Sequence, residues 1–546
     1  MPNDPSTGVP SPSAPTWENW SKNLIHRPAG GANYYFTPAN LKELRSVLDA
    51  AKVTGATVRV SGQRHSQSPL VIDDNRGVAR QTTESFLVDM SCYKDLGPGG
   101  DQRMVLLPGR NAIAVNTGVR EDELDAFLTQ NNLMLKTVTA GGFFSVGGMT
   151  AVDVHGGTVD APIFAETVSA FNILLADGSP ITIDKQSPPV AGWSPLQFAR
   201  VSLGALGIVT SVAIDVMERP YATTLRGGLE TYAIRDSSTF VSRFRTLLKN
   251  HARLEVFFTP YAAAYFLDNF WALWWDTVDE KSDSMKTPNQ PPRPYPKTAC
   301  DLAGQSQPEY GAPYLSEANE GFAQIAAQSA QLSDSAIPSA VIARTALAVI
   351  ASQVAAANQS HSDLWLTWAS RVIFMSYYVP LPDLEAAGLA VVWKGLDAVA
   401  RIVTQDGAFH IAAPMEFRFV KGGSSAMSGA YSNDPNAWFV NLDIIAFVDS
   451  QQKASGYPPK LLQFFAGVER EWVNLGGFPH NGKMYGFYDP RDAPGAYSKT
   501  GPFNPNFLAG LRARRGARLE AFNTYRKSVD PNGLFYNEFL RSLLER

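Results

Sequence analysis

One stretch near the N-terminus decides how the rest of the sequence is interpreted, and it reads Arg59-Val60-Ser61-Gly62-Gln63-Arg64-His65-Ser66-Gln67-Ser68. A short β-branched run, Thr57 to Val60, leads into the glycine, and small polar residues follow it. A strand that ends in such a turn exposes successive backbone N–H groups, which can bind a diphosphate without a charged side chain. This pattern alone does not identify a binding site, so its function has to be inferred together with other segments of the chain.

A second, glycine-rich segment follows with the sequence Ala140-Gly141-Gly142-Phe143-Phe144-Ser145-Val146-Gly147-Gly148, and the chain continues to His155-Gly156-Gly157. Closely spaced glycines let the backbone approach a ligand. The spacing is neither that of a dinucleotide-binding GxGxxG nor that of a P-loop, so the sequence supports neither a nicotinamide nor an ATP site. Taken alone, the segment is also compatible with a glycine-rich surface loop.

A third segment, His410 to Phe419, has the composition of a strand and carries Glu416 and Arg418. Side chains two residues apart on a strand share a face. An apolar strand with two charges on one face must either pair them or point them into a polar cavity. The alternatives are therefore a same-strand salt bridge at a surface and a pair of catalytic residues.

The first two segments resemble the FAD-binding domain of the vanillyl-alcohol oxidase / p-cresol methylhydroxylase superfamily. The loop Gly62 to Ser66 is similar to the one whose histidine is joined to the flavin 8α-methyl group in alditol oxidases, aldonolactone oxidases and covalent (type II) cholesterol oxidases. Ser145 to Gly156 resembles the second flavin loop of those cholesterol oxidases, and Phe198 to Val209 matches the end of the domain.

The resemblance implies an FAD that is held covalently through His65 alone, because the second loop lacks the cysteine of the bicovalent members. Besides His65, the cofactor contacts that it implies are Ser61, Gly62, Gln63, Arg64, Ser66, Gly142, Ser145, Val146, Gly147, Gly148, His155, Gly156, Gly207, Ile208 and Asn537.

The resemblance also implies catalytic roles in the third segment. Glu416 would help to take the hydroxyl proton, and Arg418 would stabilise negative charge on the substrate oxygen or the flavin. His480 and Lys483 resemble the His-x-Gly-Lys motif of aldonolactone and alditol oxidases and would face the substrate. A hairpin loop is the alternative for these two residues.

The function that follows is an FAD-dependent oxidase that takes a hydride from an alcohol carbon and is reoxidised by O2, giving H2O2. A sterol-like or other apolar alcohol is the first expectation, and an alditol or aldonolactone oxidase is the alternative. A flavin-carrying binding protein without turnover is the alternative from another class. Against a sterol, Phe257 to Ala263 lacks the gate glutamate that covalent cholesterol oxidases have in this region.

The predicted fold class is α+β, with a two-subdomain FAD-binding domain of the p-cresol methylhydroxylase type. A substrate (cap) domain with a large antiparallel sheet flanked by helices completes it. The expected boundaries are a disordered leader at 1–16, the FAD-binding domain at 17–220, the cap at 221–500 and a segment returning to the FAD domain at 501–546. Residues 280–314 are predicted to be an irregular insertion.

Composition limits the remaining options. The 546 residues carry a formal net charge of −4 and no long basic run, which argues against a nucleic-acid partner. No apolar run is long enough to span a membrane. The two cysteines, Cys92 and Cys300, are expected to be thiols, with one long-range disulfide as the alternative, and no metal site is expected. The localisation is open between cytoplasmic and secreted, and the oligomeric state is not predicted.

Overall fold

The computed structural model describes residues 3–11, 16–26, 34–73, 85–109, 111–139, 142, 144–218, 225–261, 268–277, 300, 337–356, 372–405, 407–447 and 457–545. It contains both helices and antiparallel sheets, which confirms the predicted α+β fold class. Apart from Cys300, the predicted insertion at 280–314 lies outside the described residues. No helix within the described ranges is long and apolar enough to cross a membrane.

The strands follow one another in the order β1 (Trp17–Glu18), β2 (Ile25–His26), β3 (Tyr35–Phe36), β4 (Thr57–Val60), β5 (Ser85–Val88), β6 (Met104–Leu106), β7 (Ala112–Asn116), β8 (Leu133–Leu135), β9 (Val168–Leu174), β10 (Pro180–Asp184), β11 (Ile208–Glu218), β12 (Leu225–Tyr232), β13 (Leu254–Phe258), β14 (Phe270–Thr277), β15 (Val372–Leu381), β16 (Met415–Lys421), β17 (Trp438–Phe447) and β18 (Phe478–Pro479).

The α-helices are α1 (Leu41–Thr54), α2 (Glu121–Gln130), α3 (Val146–Ala151), α4 (Pro195–Ala199), α5 (Ser237–Asn250), α6 (Ile337–Ala356), α7 (Ala386–Val403), α8 (Pro459–Asn474), α9 (Pro505–Arg515), α10 (Ala517–Val529) and α11 (Glu538–Leu544). Two short 3-10 helices at Met90–Cys92 and Phe164–Thr167 complete the described helical segments.

A small parallel sheet in the order β3-β5-β4 forms the first layer. Helix α1 packs Leu44, Val47, Leu48 and Ala51 against it, as the three- and four-residue spacing of these side chains predicts. Gly55 ends the helix at a φ of 71°, a left-handed conformation that glycine adopts without strain. The chain leaves the carboxyl end of β4 directly into the loop of residues 61–68.

A second sheet, antiparallel throughout, has the order β10-β9-β11-β7-β6, and β8 pairs with β11. The predicted Asp177-Gly178 hairpin joins β9 to β10, with Gly178 at a φ of 87°. Helix α3 begins after Ser145, whose side chain accepts a hydrogen bond from the Gly148 N–H. Val146 and Met149 of this helix are fully buried in the main core.

A seven-stranded antiparallel sheet forms the larger layer, in the order β12-β14-β13-β16-β17-β15-β18. Helices α5, α7 and α8 pack beside one another along one face. Phe417 of β16 points to this face, where its ring centroid lies 5.5 Å from that of Phe244 in α5. Period two therefore turns Glu416 and Arg418 to the opposite face, towards the first two sheets.

Arg59 joins three distant parts of the chain. Its buried guanidinium donates to the carbonyl oxygens of Leu70 at 2.7 Å, of Leu203 and Gly204 at 2.6 and 2.8 Å, and of Phe535 at 2.6 Å. The loop after β4, the segment before β11 and the C-terminal segment are thus fixed to one side chain.

The N-terminal residues differ from the expected disorder. Residues 3–11 form a turn in which Asp4 accepts from the Ser6 and Thr7 N–H groups, and Val9 is fully buried against Phe36 and its neighbours. The polar composition gave no sign of this ordered turn, because Asp4 accepts the hydrogen bonds of the turn and a single valine supplies the apolar contact. Prediction of a disordered leader is therefore wrong for residues 3–11.

Other differences concern the ends of elements and the cysteines. Residues 410–414 of the predicted strand are irregular, and the strand begins at Met415. The C-terminal segment of residues 501–546 contains three helices, α9, α10 and α11. Cys92 and Cys300 form a disulfide, with Cα atoms 5.0 Å apart, so the expectation of two thiols is wrong. A pairing across 208 residues depends on tertiary structure, and the sequence alone does not encode it locally.

Candidate cofactor and active site

A large cavity lies between the first two sheets and the seven-stranded sheet. It has an empty volume of about 1720 Å³, including solvent at its mouth. The loop of residues 61–68 and the loop that runs through α3 form its walls, and side chains of β15, β16 and β17 form its floor. The two glycine-containing loops and the charged strand, which are far apart in sequence, therefore line the same cavity.

The loop of residues 61–68 is held rigidly on both sides. Gln67 accepts from the Phe374 N–H at 2.7 Å and donates to the Val372 carbonyl at 2.9 Å, both in β15. Its own N–H donates to the Gly482 carbonyl at 2.8 Å. Arg64 has a φ of 58°, and its carbonyl accepts from the Trp20 N–H at 2.7 Å. This left-handed residue turns His65 towards the cavity.

His65 lies in the cavity wall among aromatic rings. Its ring centroid is 4.9 Å from that of Trp20 and 4.8 Å from that of Phe144. Burial lowers the pKa of His65 well below its usual range, and Lys483 and His480 lower it further. The imidazole is therefore neutral near pH 7 and can act as a nucleophile.

The two wall loops meet at Gly62. A Cβ atom at this position would lie 2.2 Å from Ser145 Oγ, so any side chain would force the loops apart. Trp17 Nε1 donates to the neighbouring Ser61 hydroxyl at 2.9 Å. The glycine is thus required by the close approach of the two loops, and both loops line the same cavity.

Asp153 joins the second wall loop to residues that lie on the same side of the cavity as the seven-stranded sheet. Its fully buried carboxylate accepts from the Gly429 N–H at 2.8 Å and from Asn481 through the backbone at 2.8 Å and the side chain at 2.6 Å. The Tyr378 hydroxyl donates to the Asp153 carbonyl. Burial raises the pKa of Asp153, while these donors lower it.

Glu416 and Arg418 share the cavity floor as period two predicts. Arg418 Nε lies 2.6 Å from Glu416 Oε1, and Arg418 Nη2 contacts Glu255 of β13. All three side chains are at most 5% exposed. Glu255 lies two residues before the stretch Phe257–Ala263, in which the sequence contains no glutamate, so this partner of Arg418 comes from just outside that stretch.

Asp443 stands beside Glu416 on the floor. The two residues are direct cross-strand partners in β17 and β16, and both line the cavity. Burial raises the pKa of Asp443, and Lys483 is the largest influence that lowers it. Asp443 and Glu416 are in turn the charges that oppose the lowering of the Lys483 pKa by burial. The floor therefore combines two acceptor groups with two cations.

His480 and Lys483 also face the cavity, which places them with Glu416 and Arg418. His480 Nδ1 accepts from the Gly482 N–H at 3.0 Å, and Lys483 Nζ lies 3.8 Å from the Phe374 ring centroid. Burial lowers the pKa of His480, and it lowers the pKa of His155, whose ring centroid is 6.4 Å away. Both imidazoles are neutral near pH 7.

Most of the predicted site residues line this cavity. Those that do are His65, Ser61, Gly62, Gln63, Arg64, Ser66, Ser145, Gly147, Gly148, His155, Gly207, Glu416, Arg418, His480 and Lys483. Their convergence depends on both loops and on the floor of the larger sheet.

Five predicted cofactor contacts lie outside the cavity lining. Val146 and Ile208 are fully buried in the core, and Gly156 packs where a Cβ would lie 2.0 Å from the Val138 carbonyl oxygen. Gly142 has a φ of 66°, and its carbonyl oxygen accepts a hydrogen bond from the Asp122 N–H in the first turn of α2. Asn537 caps α11 and donates to the Pro69 carbonyl at 2.8 Å. None of these five residues lines the cavity, so their predicted contact with the cofactor stays a prediction.

Sequence reasoning missed two acidic residues, Asp443 on the cavity floor and Glu255, which contacts Arg418 from outside the cavity lining. Glu255 and Asp443 each stand in an otherwise apolar strand, which is the same signal that identified Glu416. Asn441 and Asp443, two residues apart on β17, could have been recognised as a polar face by their spacing. That Asp443 lies beside Glu416 could be recognised only once the register between β16 and β17 was known.

Family profiles match both parts of the chain. An FAD-binding domain profile matches residues 32–184, and the profile of D-arabinono-1,4-lactone oxidase matches residues 303–543. The first match covers both wall loops. The second covers Glu416, Arg418, Asp443 and the His480–Lys483 loop.

Curated relatives are distant. D-arabinono-1,4-lactone oxidase of Candida albicans is 22% identical over 50% of this chain, and the match spans 44% of that relative, less than half its length. L-gulono-1,4-lactone dehydrogenase of Mycobacterium tuberculosis is 21% identical over 97% of this chain and 99% of its own length.

Among solved structures, cholesterol oxidase from Brevibacterium sterolicum superposes with a TM-score of 0.72. It is 15% identical, and the superposition covers 100% of this chain and 99% of that one. The superposition establishes a shared fold, and a sequence identity this low says nothing about the substrate. The predicted fold is thereby confirmed, and the profile match at residues 32–184 confirms the predicted FAD-binding domain.

Proposed function

We propose that this chain, a member of the vanillyl-alcohol oxidase / p-cresol methylhydroxylase superfamily of FAD-linked enzymes, oxidises a CH–OH carbon of a small polar lactone or polyol. The observation that carries the proposal is the charged floor of Glu416, Arg418, Asp443 and Lys483 beneath two flavin-type loops. Such a floor offers several hydrogen-bonding groups to a substrate in a buried place.

The residues of the walls fit an FAD. Where Gly62 approaches Ser145, a Cβ atom would collide, and backbone from both loops is open to the cavity instead. When bound, FAD supplies the acceptor for the hydride that leaves the substrate carbon. The protein's share of the work is to bind and orient the substrate and to manage its proton.

Glu416 takes the hydroxyl proton in this proposal. It is buried on the floor, and Arg418 lies beside it to stabilise negative charge on the substrate oxygen. Glu255 balances the charge of Arg418 and holds its guanidinium in place. Glu255 is therefore a positioning residue, since it contacts Arg418 and does not line the cavity.

The substrate that we propose is an aldonolactone, with an alditol as the second candidate. The relatives with matching sequence bear the names of lactone oxidases and a lactone dehydrogenase. The sterol-like substrate, our first expectation from sequence, has no such support. It rested chiefly on the similarity of the second flavin loop to that of cholesterol oxidases, and the single hydroxyl of a sterol would satisfy few of the polar groups on the floor.

We also propose that the FAD is attached through His65. Its imidazole is neutral and lies in the cavity wall, so a ring nitrogen can bond to the flavin 8α-methyl carbon. This attachment would be a two-electron oxidation: the imidazole N–H bond and one C–H bond of the methyl group would break, an N–C bond would form, and O2 would take up the two electrons and two protons as H2O2. The bond would raise the potential of the flavin and favour hydride uptake.

Acid precipitation tests the attachment. The purified wild-type protein should keep its yellow colour in the acid pellet, whereas His65→Ala should release FAD into the supernatant. His251→Asn, which changes a histidine outside the cavity lining, is the matched control and should behave as wild type. Flavin that stays in the pellet of His65→Ala would show that another residue holds it.

Anaerobic mixing tests the reaction. L-gulono-1,4-lactone or D-arabinono-1,4-lactone should bleach the visible flavin absorbance faster than xylitol does, and cholesterol should leave it unchanged. Readmission of air should restore the absorbance and produce H2O2. If recovery instead requires an added electron acceptor, the chain is a dehydrogenase. If no lactone or polyol reduces the flavin, the proposed reaction is rejected in favour of a flavin-carrying binding protein.

A further inference from the structure

Asp443 occupies a position on the cavity floor that the proposed reaction leaves unused. It is 8% exposed, lines the cavity and pairs directly with Glu416 across the strands. Cβ atoms of such cross-strand partners are about 5 Å apart. Two carboxyl groups therefore face the same substrate volume from neighbouring strands.

The two oxygens of Asp443 have different surroundings. The Ser376 hydroxyl of β15 donates to one side of the carboxyl group, and Asn441 Nδ2 in turn donates to Ser376 Oγ at 2.9 Å. Asp443 Oδ1 is buried and has no hydrogen-bond donor among the residues that the structure describes. An oxygen in this situation costs free energy unless a bound molecule donates to it.

The charges around Asp443 favour a neutral donor. Lys483 and Arg418 attract the carboxylate, and Glu255 repels it. These groups already balance much of its charge, so a further cation is not required. A hydroxyl group is small, neutral and able to donate, and it fits beside the hydroxyl that Glu416 would deprotonate.

We infer that Asp443 binds a second hydroxyl group of the substrate, adjacent to the one that is oxidised, and thereby selects a vicinal diol. This inference rests on the proposed function and narrows it to a substrate class. Glu416 accepts from the reacting hydroxyl, and Asp443 Oδ1 accepts from its neighbour. A substrate with an isolated hydroxyl would leave Asp443 Oδ1 without a donor.

The test compares D-arabinono-1,4-lactone with its 2-deoxy and 3-deoxy analogues in anaerobic flavin reduction. One analogue lacks the reacting hydroxyl and should be inert, and the other lacks only its neighbour. For that analogue we expect the wild-type second-order rate constant to be about 10- to 100-fold lower than for the parent lactone. In Asp443→Leu, which is nearly isosteric, the ratio should fall to about threefold or less.

Asp397→Leu is the matched control, because it makes the same substitution at a half-buried residue of α7 that pairs with Arg401 and does not line the cavity. It should keep the wild-type ratio. If Asp443→Leu does not fold, Asp443→Asn replaces it. Loss of the charge should then weaken discrimination at least threefold, because hydrogen bonds to charged groups are about twice as strong.

The outcomes separate this inference from the proposed function. A variant that still discriminates as wild type does would overturn the role of Asp443 while leaving the oxidation of lactones intact. Equal rates for the parent and the neighbour-deoxy lactone in wild type would also overturn it. Absence of flavin reduction by every lactone would reject the proposed function itself.

Discussion

Burial controls the chemistry of individual residues at the cavity floor. The pKa of Asp443 is raised and that of Lys483 is lowered, in both cases chiefly by burial, and each opposes the shift of the other. The neutral imidazoles of His155 and His480 add hydrogen-bonding capacity without charge. The floor can therefore accept a proton from a substrate without leaving a large uncompensated charge.

Glu416→Gln should slow flavin reduction by about 10²-fold or more, because the amide no longer takes the hydroxyl proton. Arg418 keeps Glu255 as its partner in this variant, so the guanidinium should stay in place. The measurement is anaerobic stopped-flow reduction with D-arabinono-1,4-lactone, accompanied by a flavin spectrum to verify loading. An unchanged reduction rate in a fully loaded variant would remove Glu416 from the mechanism.

At this scale, sequence predicted residues that stand in a local pattern. Glu416 and Arg418 were found because they stand two apart in an apolar strand, and His65 was found through the resemblance of its loop to the flavin loop of known oxidases. Asp443 was missed because its importance comes from the register between β16 and β17. Register across strands depends on tertiary packing, which a single strand sequence does not specify.

Among the elements, the two wall loops depend on each other. The first leaves β4 and the second enters α3, and they touch where Gly62 meets Ser145. Neither loop could hold a large cofactor alone, since each supplies one wall. Their separation in the chain means that the cavity forms only when the first two sheets are packed.

Gly62→Ala should lower the free energy of unfolding by about 1–3 kcal/mol and reduce the FAD content, because its Cβ would overlap Ser145 Oγ. The double variant Gly62→Ala/Ser145→Ala should recover part of both losses, since the nearest remaining atom, Ser145 Cβ, is 3.3 Å away. Urea unfolding and the ratio of flavin to protein absorbance measure these effects, with Ser145→Ala as the control. A double variant no better than Gly62→Ala would contradict a steric cause.

Element types were predictable where the period was regular. The spacing of Leu44, Val47 and Leu48 identified α1, and Asp177-Gly178 identified the hairpin of β9 and β10. The region before Met415 was wrongly extended as a strand, because apolar residues there are buried in irregular backbone. Val9 shows the same limit, since one apolar residue in a polar stretch gives no period to detect.

Across the whole molecule, the disulfide between Cys92 and Cys300 closes a loop of 208 residues. The Cys300 N–H donates to Ser91 Oγ at 3.1 Å, and Ser91 lines the cavity. The disulfide therefore holds Cys300 beside the cavity wall, next to Ser91.

Cys92→Ser should lower the free energy of unfolding by about 5 kcal/mol at most, the chain-entropy value for a loop of this length. Reduction of the wild-type protein should have the same effect and should add nothing in the variant. Urea unfolding with and without a reductant measures both. Two free thiols in denatured, unreduced wild-type protein would show that the bond is not formed.

The guanidinium of Arg59 has a consequence for biosynthesis. Its acceptors include the Phe535 carbonyl, which lies 476 residues later in the chain. A ribosome must therefore release nearly all of the polypeptide before the first flavin-type loop acquires its final support. Until then the nascent N-terminal unit has an incomplete anchor, so we expect the cofactor to be captured only after translation is nearly complete.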